Sequence, residues 1–341
     1  MSPENFARAY SQTRTGSPKH KAGAIRFSYN ETHNLEQLRQ ELVRGEYRPD
    51  EYFKFSVYEP KERVIYAPRY RDKIAQHSVN SVLRDFYEPK FMHDSYACIR
   101  GKGNQKAVLR IQQHMRSASI NYHDPWIVKA DVQKFFYSID REVMKAIVRR
   151  KVTCQKTLDL IERIIDSSPG EKGLPLGNLT SQLLANVMMN EIDQYIKRTL
   201  KVKRYVRYAD DLVLLVDGKA QAGDMLGCIE AFGRDVIRLI FPGRKCFIRP
   251  LRGGLETLGY KISPARLSLT SKKKGAFILR LNTADQLLAA GRMSISEALQ
   301  SLTSWYSYAG MADCQLFVKD ACLKTHRIRF THNQRFIISR I

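Results

Sequence analysis

The 341-residue chain has no apolar run approaching the ~18 residues of a membrane span. Its start, Met1-Ser2-Pro3-Glu4-Asn5, has none of the features of a secretory signal. Its six cysteines (98, 154, 228, 246, 314 and 322) form no Cys-x-x-Cys pair, which speaks against a zinc site and for reduced thiols in a cytoplasm. Repeats and low-complexity tracts are absent. Acid is scarce: 34 Asp+Glu against 57 Lys+Arg leaves a formal charge of +23. Such self-repulsion calls for a polyanionic partner, with nucleic acid the first candidate. An anionic membrane would leave a basic amphipathic helix or a lipidation signal, and neither is evident, so no membrane partner is expected. The 43% hydrophobic content is that of an ordinary globular protein, and the length allows two or three subdomains.

Against that background the stretch Tyr205-Val206-Arg207-Tyr208-Ala209-Asp210-Asp211-Leu212-Val213-Leu214-Leu215-Val216 stands out. Its β-formers on both sides of the acidic pair predict a strand–turn–strand hairpin. Adjacent carboxylates in an apolar setting repel each other and are costly to desolvate. Turn chemistry alone explains many Asp-Asp pairs, so a further acidic site is needed to decide. Trp126-Ile127-Val128-Lys129-Ala130-Asp131 provides it: a short apolar strand closing on Asp131. Asp131, Asp210 and Asp211 can converge on two hard cations, and their all-oxygen donor set suits Mg²⁺, with Mn²⁺ as a substitute. Two cations in such a site serve nucleotidyl transfer, activating a 3′-hydroxyl and stabilising the leaving pyrophosphate.

With these motifs in order, the chain resembles the reverse transcriptases, including the group II intron and retron-like bacterial enzymes. The resemblance implies an α+β right-hand polymerase: fingers and palm built of an antiparallel sheet with helices on one face, and a mainly helical thumb. It divides the chain into an N-terminal extension (1–50), fingers and palm (51–265) and thumb (266–341). It also implies site roles. Phe136, five residues after Asp131, matches the aromatic that screens the sugar 2′ position. Arg63 matches an arginine over the incoming nucleotide, with Lys61 beside it, and Leu176, Gly177 and Gln182 match the segment lining the nascent base pair. Lys245 matches a lysine that donates a proton to pyrophosphate, or contacts phosphate. Leu258-Gly259-Tyr260 matches the primer-grip turn.

Within the family the chain is most similar to the enzymes of diversity-generating retroelements. Ser181-Gln182 stands where most relatives carry Ser-Pro, and aliphatic Leu176 stands where they carry Gln. Val57 through Arg63, and Ser304-Trp305 before Ala312-Asp313, carry the same likeness. That subgroup implies error-prone cDNA synthesis opposite template adenines, a cognate template RNA, deoxynucleoside triphosphates, and a small basic oligomeric accessory protein in a bacterial or phage-encoded system. The alternatives are a reverse transcriptase of a phage-defence system or retron, and a non-catalytic basic RNA-binding scaffold. Clustered anions facing a polyanion argue against the scaffold. No RNase H or endonuclease block is expected.

Along the chain, a short N-terminal helix leads to a basic loop from Arg14 to Gly23 holding Lys19, His20 and Lys21, then a helix through Leu35–Val43. A β-hairpin is expected over residues 51–70, a helix over 71–90 with His77 packed at its core edge, and a strand over Ser95–Ile99 entering a basic Gly turn that could hold template phosphate. Further helices are expected over Gln105–Ser117, Arg141–Lys151 (N-capped by Asp140), Thr157–Ser167, Ser181–Leu200 (Ser181 as N-cap) and Gly223–Leu239. Lys272-Lys273-Lys274 reads as a basic linker before helices around 283–290, 294–308 and 312–323. Trp305 reads as a core anchor, and the basic, aromatic 326–330 tail as part of a primer–template contact.

Overall fold

A computed structural model describes residues 2–15, 22–58, 62–331 and 333–338. The loop residues Lys19, His20 and Lys21 and the turn residues Glu59, Pro60 and Lys61 lie outside the described residues.

Three helices open the chain: α1 (Pro3–Thr13), α2 (Ala22–Ser28) and α3 (Glu31–Arg44), the last closed by Gly45 in the left-handed conformation. Strands β1 (Phe53–Tyr58) and β2 (Glu62–Ala67) pair antiparallel in the expected hairpin. Next comes α4 (Tyr70–Tyr87), carrying His77 with its ring nitrogen beside Gln12. Ser95–Ile99 is not a strand: Ser95 makes one isolated bridge to Arg207, and the segment otherwise turns. It is held by side chains instead. Asp94 accepts from Arg110 at 2.8 Å, and Lys102 donates to the Ser95 carbonyl at 2.9 Å.

Helix α5 (Asn104–Asn121) precedes β3 (Pro125–Asp131), the short α6 (Phe135–Ser138), α7 (Arg141–Arg149) and α8 (Gln155–Asp166). Asp140 caps α7, accepting from the amides of Glu142 and Val143 at 3.0 and 3.1 Å. Helix α9 (Leu179–Gln194) starts after Asn178, which sits at the N-cap position without a capping side-chain hydrogen bond; Ser181 is not the cap but lies buried in the first turn. The hairpin β4 (Arg204–Tyr208) and β5 (Asp211–Asp217), then α10 (Lys219–Asp235) and β6 (Phe247–Pro250), complete a four-stranded antiparallel sheet ordered β4-β5-β3-β6.

This sheet is apolar on both faces. Val128, Ala130, Leu212 and Leu214 face one core with helices α4 and α7–α10; Ile127, Val206, Val213 and Leu215 face a second core. The expectation of helices on one face is therefore corrected. The second face is covered by α5, by the three-stranded sheet β7 (Leu255–Thr257), β8 (Tyr260–Ile262) and β9 (Leu267–Leu269), and by the C-terminal helices. Those are α11 (Ser271–Ala289), α12 (Ile295–Ala309) and α13 (Gln315–Leu323). Lys272–Lys274 form the first turn of α11 rather than a linker, because Thr270 caps that helix. Trp305 is buried and stacks on Phe277 with ring centroids 3.9 Å apart. The 326–330 tail yields β10 (Ile328–Phe330), which pairs with β11 (Phe336–Ile338) in an additional hairpin.

Arg207, on β4, points into the first core and is fully buried. Its guanidinium pairs with Asp193 of α9 at 2.8 Å, also fully buried, and donates to Asn186 at 3.0 Å and to the Ala209 carbonyl at 2.9 Å. The Tyr205 hydroxyl donates to the same Asp193 carboxylate. Burial alone would push the guanidinium's pKa down; Asp193 more than reverses this. Removing one charge of a buried pair leaves the other uncompensated. Arg207→Met is therefore expected to lower unfolding free energy in urea by about 3–5 kcal/mol, and Arg207→Met/Asp193→Asn to recover part of it. A double variant as unstable as the single one would remove charge compensation as the explanation.

Candidate active site

Strands β3 and β5 end together, with Asp131 directly opposite Asp211 in register and on the same face. Tyr208 pairs with Asp211, so Ala209 and Asp210 form the two-residue turn between β4 and β5. Ala209 sits at φ +56, a conformation costing an L-residue roughly 1–2 kcal/mol. The bond from Arg207 to its carbonyl holds the turn from behind. All three expected carboxylates thus reach one end of one sheet.

Their surroundings differ. Asp131 meets the Lys245 ammonium, which also lies 3.3 Å from the Val132 carbonyl. Asp211 is held from both sides, by the Lys129 ammonium and by the Thr257 hydroxyl, which donates at 2.8 Å. Asp210 has no ion pair among the described residues, and burial, followed by the charge of Asp131, pushes its carboxyl pKa up. Burial also pulls the Lys129 ammonium down to about 8, against the opposing charges of Asp131 and Asp210. Among the described residues, no three carboxylate, His or Cys side chains converge closely enough to enclose an ion as placed. The donor chemistry nevertheless fits a hard divalent cation: Asp210 is a half-buried carboxylate with no ion pair among the described residues, and Asp131 is close enough for its charge to be felt there.

Lys129 and Thr257 were not anticipated. Lys129 is one strand pleat before Asp131, so the two share a face, and a lysine at i−2 in an apolar strand was the available signal. Thr257 is 46 residues from its partner and carries no local signal.

The turn after Thr257 is Leu258-Gly259, with φ +53 and +88, joining paired Thr257 and Tyr260; two positive φ angles define the tight hairpin turn that suits twisted strands. Tyr308 of α12 donates to the Leu258 carbonyl at 2.8 Å, and Tyr260 donates to the Tyr308 carbonyl at 2.6 Å. The expected primer-grip turn is therefore bolted to the C-terminal helices on one side and, through Thr257, to Asp211 on the other.

The 173–178 segment runs between α6 and the β1–β2 hairpin. The Leu174 amide donates to the Phe136 carbonyl at 2.8 Å, and the Tyr66 amide donates to the Leu176 carbonyl at 2.9 Å. Gly177 is at φ +116, and a Cβ there would sit 2.8 Å from the Tyr66 carbonyl oxygen. The structure thus brings half-buried Leu176 and Phe136 into one wall with β2. Gln182 is exposed early in α9, and Arg63 is exposed on β2 opposite Val57, without an ion pair among the described residues.

A family model described as "Reverse transcriptase (RNA-dependent DNA polymerase)" matches residues 54–262. This chain belongs to the reverse transcriptase family. It is 26% identical to protein YkfC of Escherichia coli, over 55% of this chain and 60% of that protein. It is 25% identical to the group II intron-encoded protein LtrA of Lactococcus lactis, over 50% of this chain but 29% of LtrA. The Escherichia coli retron Ec73 reverse transcriptase is 25% identical over 75% of this chain and 81% of its own length. Telomerase from Candida albicans, solved with a fragment of telomeric RNA, superposes with a TM-score of 0.51 at 11% identity, covering 86% of this chain and 58% of the telomerase. That likeness carries the fold: α+β, with antiparallel sheets and helices, as in the right-hand polymerases. The family as a whole uses divalent cations, typically Mg²⁺. No described helix is long and apolar enough to cross a membrane.

Gly177→Ala is expected to lower the thermal midpoint, because it adds left-handed strain and a clash with backbone that has no flexible end to move aside. Gly223→Ala, in α10 with open space around its Cβ, is expected to leave the midpoint unchanged or raise it. Equal midpoints for the two variants in a thermal melt would contradict the tight fit of the 173–178 segment against β2.

Proposed function

We propose that the protein is an RNA-directed DNA polymerase that copies a retroelement RNA into cDNA from deoxynucleoside triphosphates. The observation carrying this reading is the meeting of Asp131, Asp210 and Asp211 at one strand end within a chain whose family model spans residues 54–262. On this reading residues 51–265 act as fingers and palm, 266–341 as the thumb, and 1–50 as an extension.

Asp131 and Asp210 would hold Mg²⁺, or Mn²⁺ in its place, with Asp211 as a third carboxylate once Lys129 and Thr257 release it. A bound cation pair supplies Lewis acidity to the attacking and leaving oxygens of phosphoryl transfer. The chain's own groups do the rest. Lys245 is within reach of Asp131 and is the candidate to hold a proton for the leaving pyrophosphate oxygen. Phe136, seated against the 173–178 segment, would exclude a ribose 2′-hydroxyl by bulk. Exposed Arg63 offers a planar fork to the triphosphate. Leu258, Gly259 and Tyr260 would set the primer strand, positioned relative to Asp211 by Thr257.

Leu176 offers the nascent pair an aliphatic wall where an amide could have hydrogen-bonded, and Gly177 and Gln182 flank it. With Ser181-Gln182, this favours error-prone copying at template adenines, of the kind that diversifies a target gene, assisted by a small basic oligomeric accessory protein. The match to a retron enzyme over most of its length favours a second reading, in which the same chemistry serves a retron or an antiviral defence locus.

Primer extension on an RNA template with Mg²⁺ and deoxynucleotides tests the chemistry. Asp210→Asn is expected to lower the rate by at least a hundredfold, on the scale of losing one transition-state electrostatic contact. Extension at the wild-type rate in that variant would overturn the carboxylate assignment. In the same assay, Leu176→Gln is expected to reduce misincorporation opposite adenine; an unchanged error spectrum would reject the role given to Leu176.

A further inference from the structure

Beside the carboxylate site, the surface carries a second feature built for an anion. A cavity of about 650 Å³ opens where the ends of α4, α7 and α9 meet, and none of its lining residues belongs to the carboxylate site. Four cationic side chains line it: Lys90, Arg150, Lys151 and Arg198. The cavity's acid, Glu191, is engaged by Arg150 at 2.8 Å. Among the described residues, no carboxylate pairs with Lys90, Lys151 or Arg198. Lys90 and Lys151 are close enough that the charge of one adds to burial in pushing the Lys90 ammonium below its ordinary pKa. Like charges gathered in a concavity repel until an anion joins them.

Two further groups refine the ligand. The Tyr87 hydroxyl is buried in the cavity wall without a hydrogen-bond partner, and so is the Gln194 side-chain oxygen. The Gln194 nitrogen faces acceptors, the Lys90 carbonyl and the Asn190 side-chain oxygen, both at 3.4 Å, which leaves its oxygen as the unpaired acceptor. A buried polar atom without a partner is costly, so a ligand supplying both partners would be favoured. Phosphate oxygens accept from the ammonium groups and from Tyr87. A hydroxyl donor near that phosphate would satisfy Gln194. A ribonucleotide backbone carries both groups, and a deoxyribonucleotide backbone lacks the 2′-hydroxyl.

We propose that this cavity is a second RNA site, taking the ribose-phosphate backbone of an RNA strand outside the catalytic cleft. The polymerase reading explains why RNA is at hand; the cavity's chemistry stands apart from it. Lys90 and Lys151 contribute the charge, and Gln194 contributes the preference for ribose.

The test uses the full chain assembled on a chain-terminated DNA primer–RNA template duplex, so that the cleft is filled. A fluorescent 12-nucleotide oligouridylate and its deoxy counterpart are then titrated across a salt series. Wild type is expected to bind the ribo-oligomer more tightly than the deoxy-oligomer. Lys90→Gln/Lys151→Gln is expected to weaken ribo-oligomer binding about tenfold and to flatten the log–log salt slope by about 1.4, the value for two single-strand phosphate contacts. Gln194→Met is expected to abolish the ribose preference while leaving the salt slope unchanged. Extension of a short primer–template is expected to match wild type in all variants. Identical oligouridylate affinity and salt slope in wild type and the double variant would overturn the site, and equal binding of ribo- and deoxy-oligomers by wild type would overturn its assignment to RNA. Loss of extension in wild type itself would count against the polymerase reading without altering that comparison.

Discussion

The buried Arg207–Asp193 pair is the constraint from which the geometry of the acidic turn follows. Two opposite charges with no exposure must satisfy each other and their remaining hydrogen-bonding capacity, or the fold forfeits several kcal/mol. Asn186 and the Ala209 carbonyl take up guanidinium donors, and Tyr205 completes the carboxylate. The main chain of Arg207 is occupied as well: its amide donates to the Asp94 carbonyl and its carbonyl accepts from Tyr96. One residue thereby ties α9, the 91–103 segment and the turn before Asp210. A turn fixed from behind in this way can hold Ala209 in a costly conformation and keep Asp210 half-buried without a counter-ion among the described residues.

The opposite face is organised by a different device. Lys129 and Thr257 immobilise Asp211, and Thr257 sits at the start of a turn fastened to α12 by reciprocal bonds with Tyr308. A displacement of the C-terminal helices would therefore reach the carboxylate through one hydroxyl and one tight turn. The two lysines meanwhile lower the repulsion among the carboxylates. Two ammonium groups at a site proposed to receive a triphosphate and a nucleic acid backbone are already paired, and their charge offsets the acids without adding to the attraction of the whole basic surface.

The parts of this arrangement that were legible in the sequence are those with local signatures. Alternating and continuous β-formers marked β3, β4 and β5, Asp140 three residues before Val143 marked its cap, and Asp-Asp between apolar runs marked the turn. The parts that were not legible depend on partners far along the chain. Arg207 within a strand looks like an edge residue until Asp193 and Asn186, on a helix upstream, are placed behind it. Ser181 reads locally as a cap, and only the start of α9 at Leu179 places it inside the first turn, where it is buried. Lys272–Lys274 read as a linker because charge repulsion disfavours a helix locally, whereas the Thr270 cap and the buried Phe277 and Leu281 favour it. The second covered face of the central sheet could have been inferred from β5, where Leu212 to Val216 run apolar at odd and even positions alike. A one-sided sheet has no use for such a run.

That two-sided burial bears on how the site can move. Each residue of β3 and β5 between the sheet's ends is locked by a core on either face, so the strand ends carrying Asp131 and Asp211 cannot shift without disturbing both cores. Freedom resides at the periphery: Lys245 in the exposed 243–245 turn, and Arg63 on a hairpin whose first strand is exposed throughout. On the proposed reading, substrate-dependent change would be side-chain exchange around Asp131 and Asp211 and motion of the β1–β2 hairpin over a fixed floor. The bond between Tyr66 and the Leu176 carbonyl joins that hairpin to the 173–178 segment, so on the proposed reading closure over a nucleotide would carry Leu176 with it. Any influence of Leu176 on copying accuracy would then act during closure, when the wall meets the pair, rather than through the carboxylates themselves.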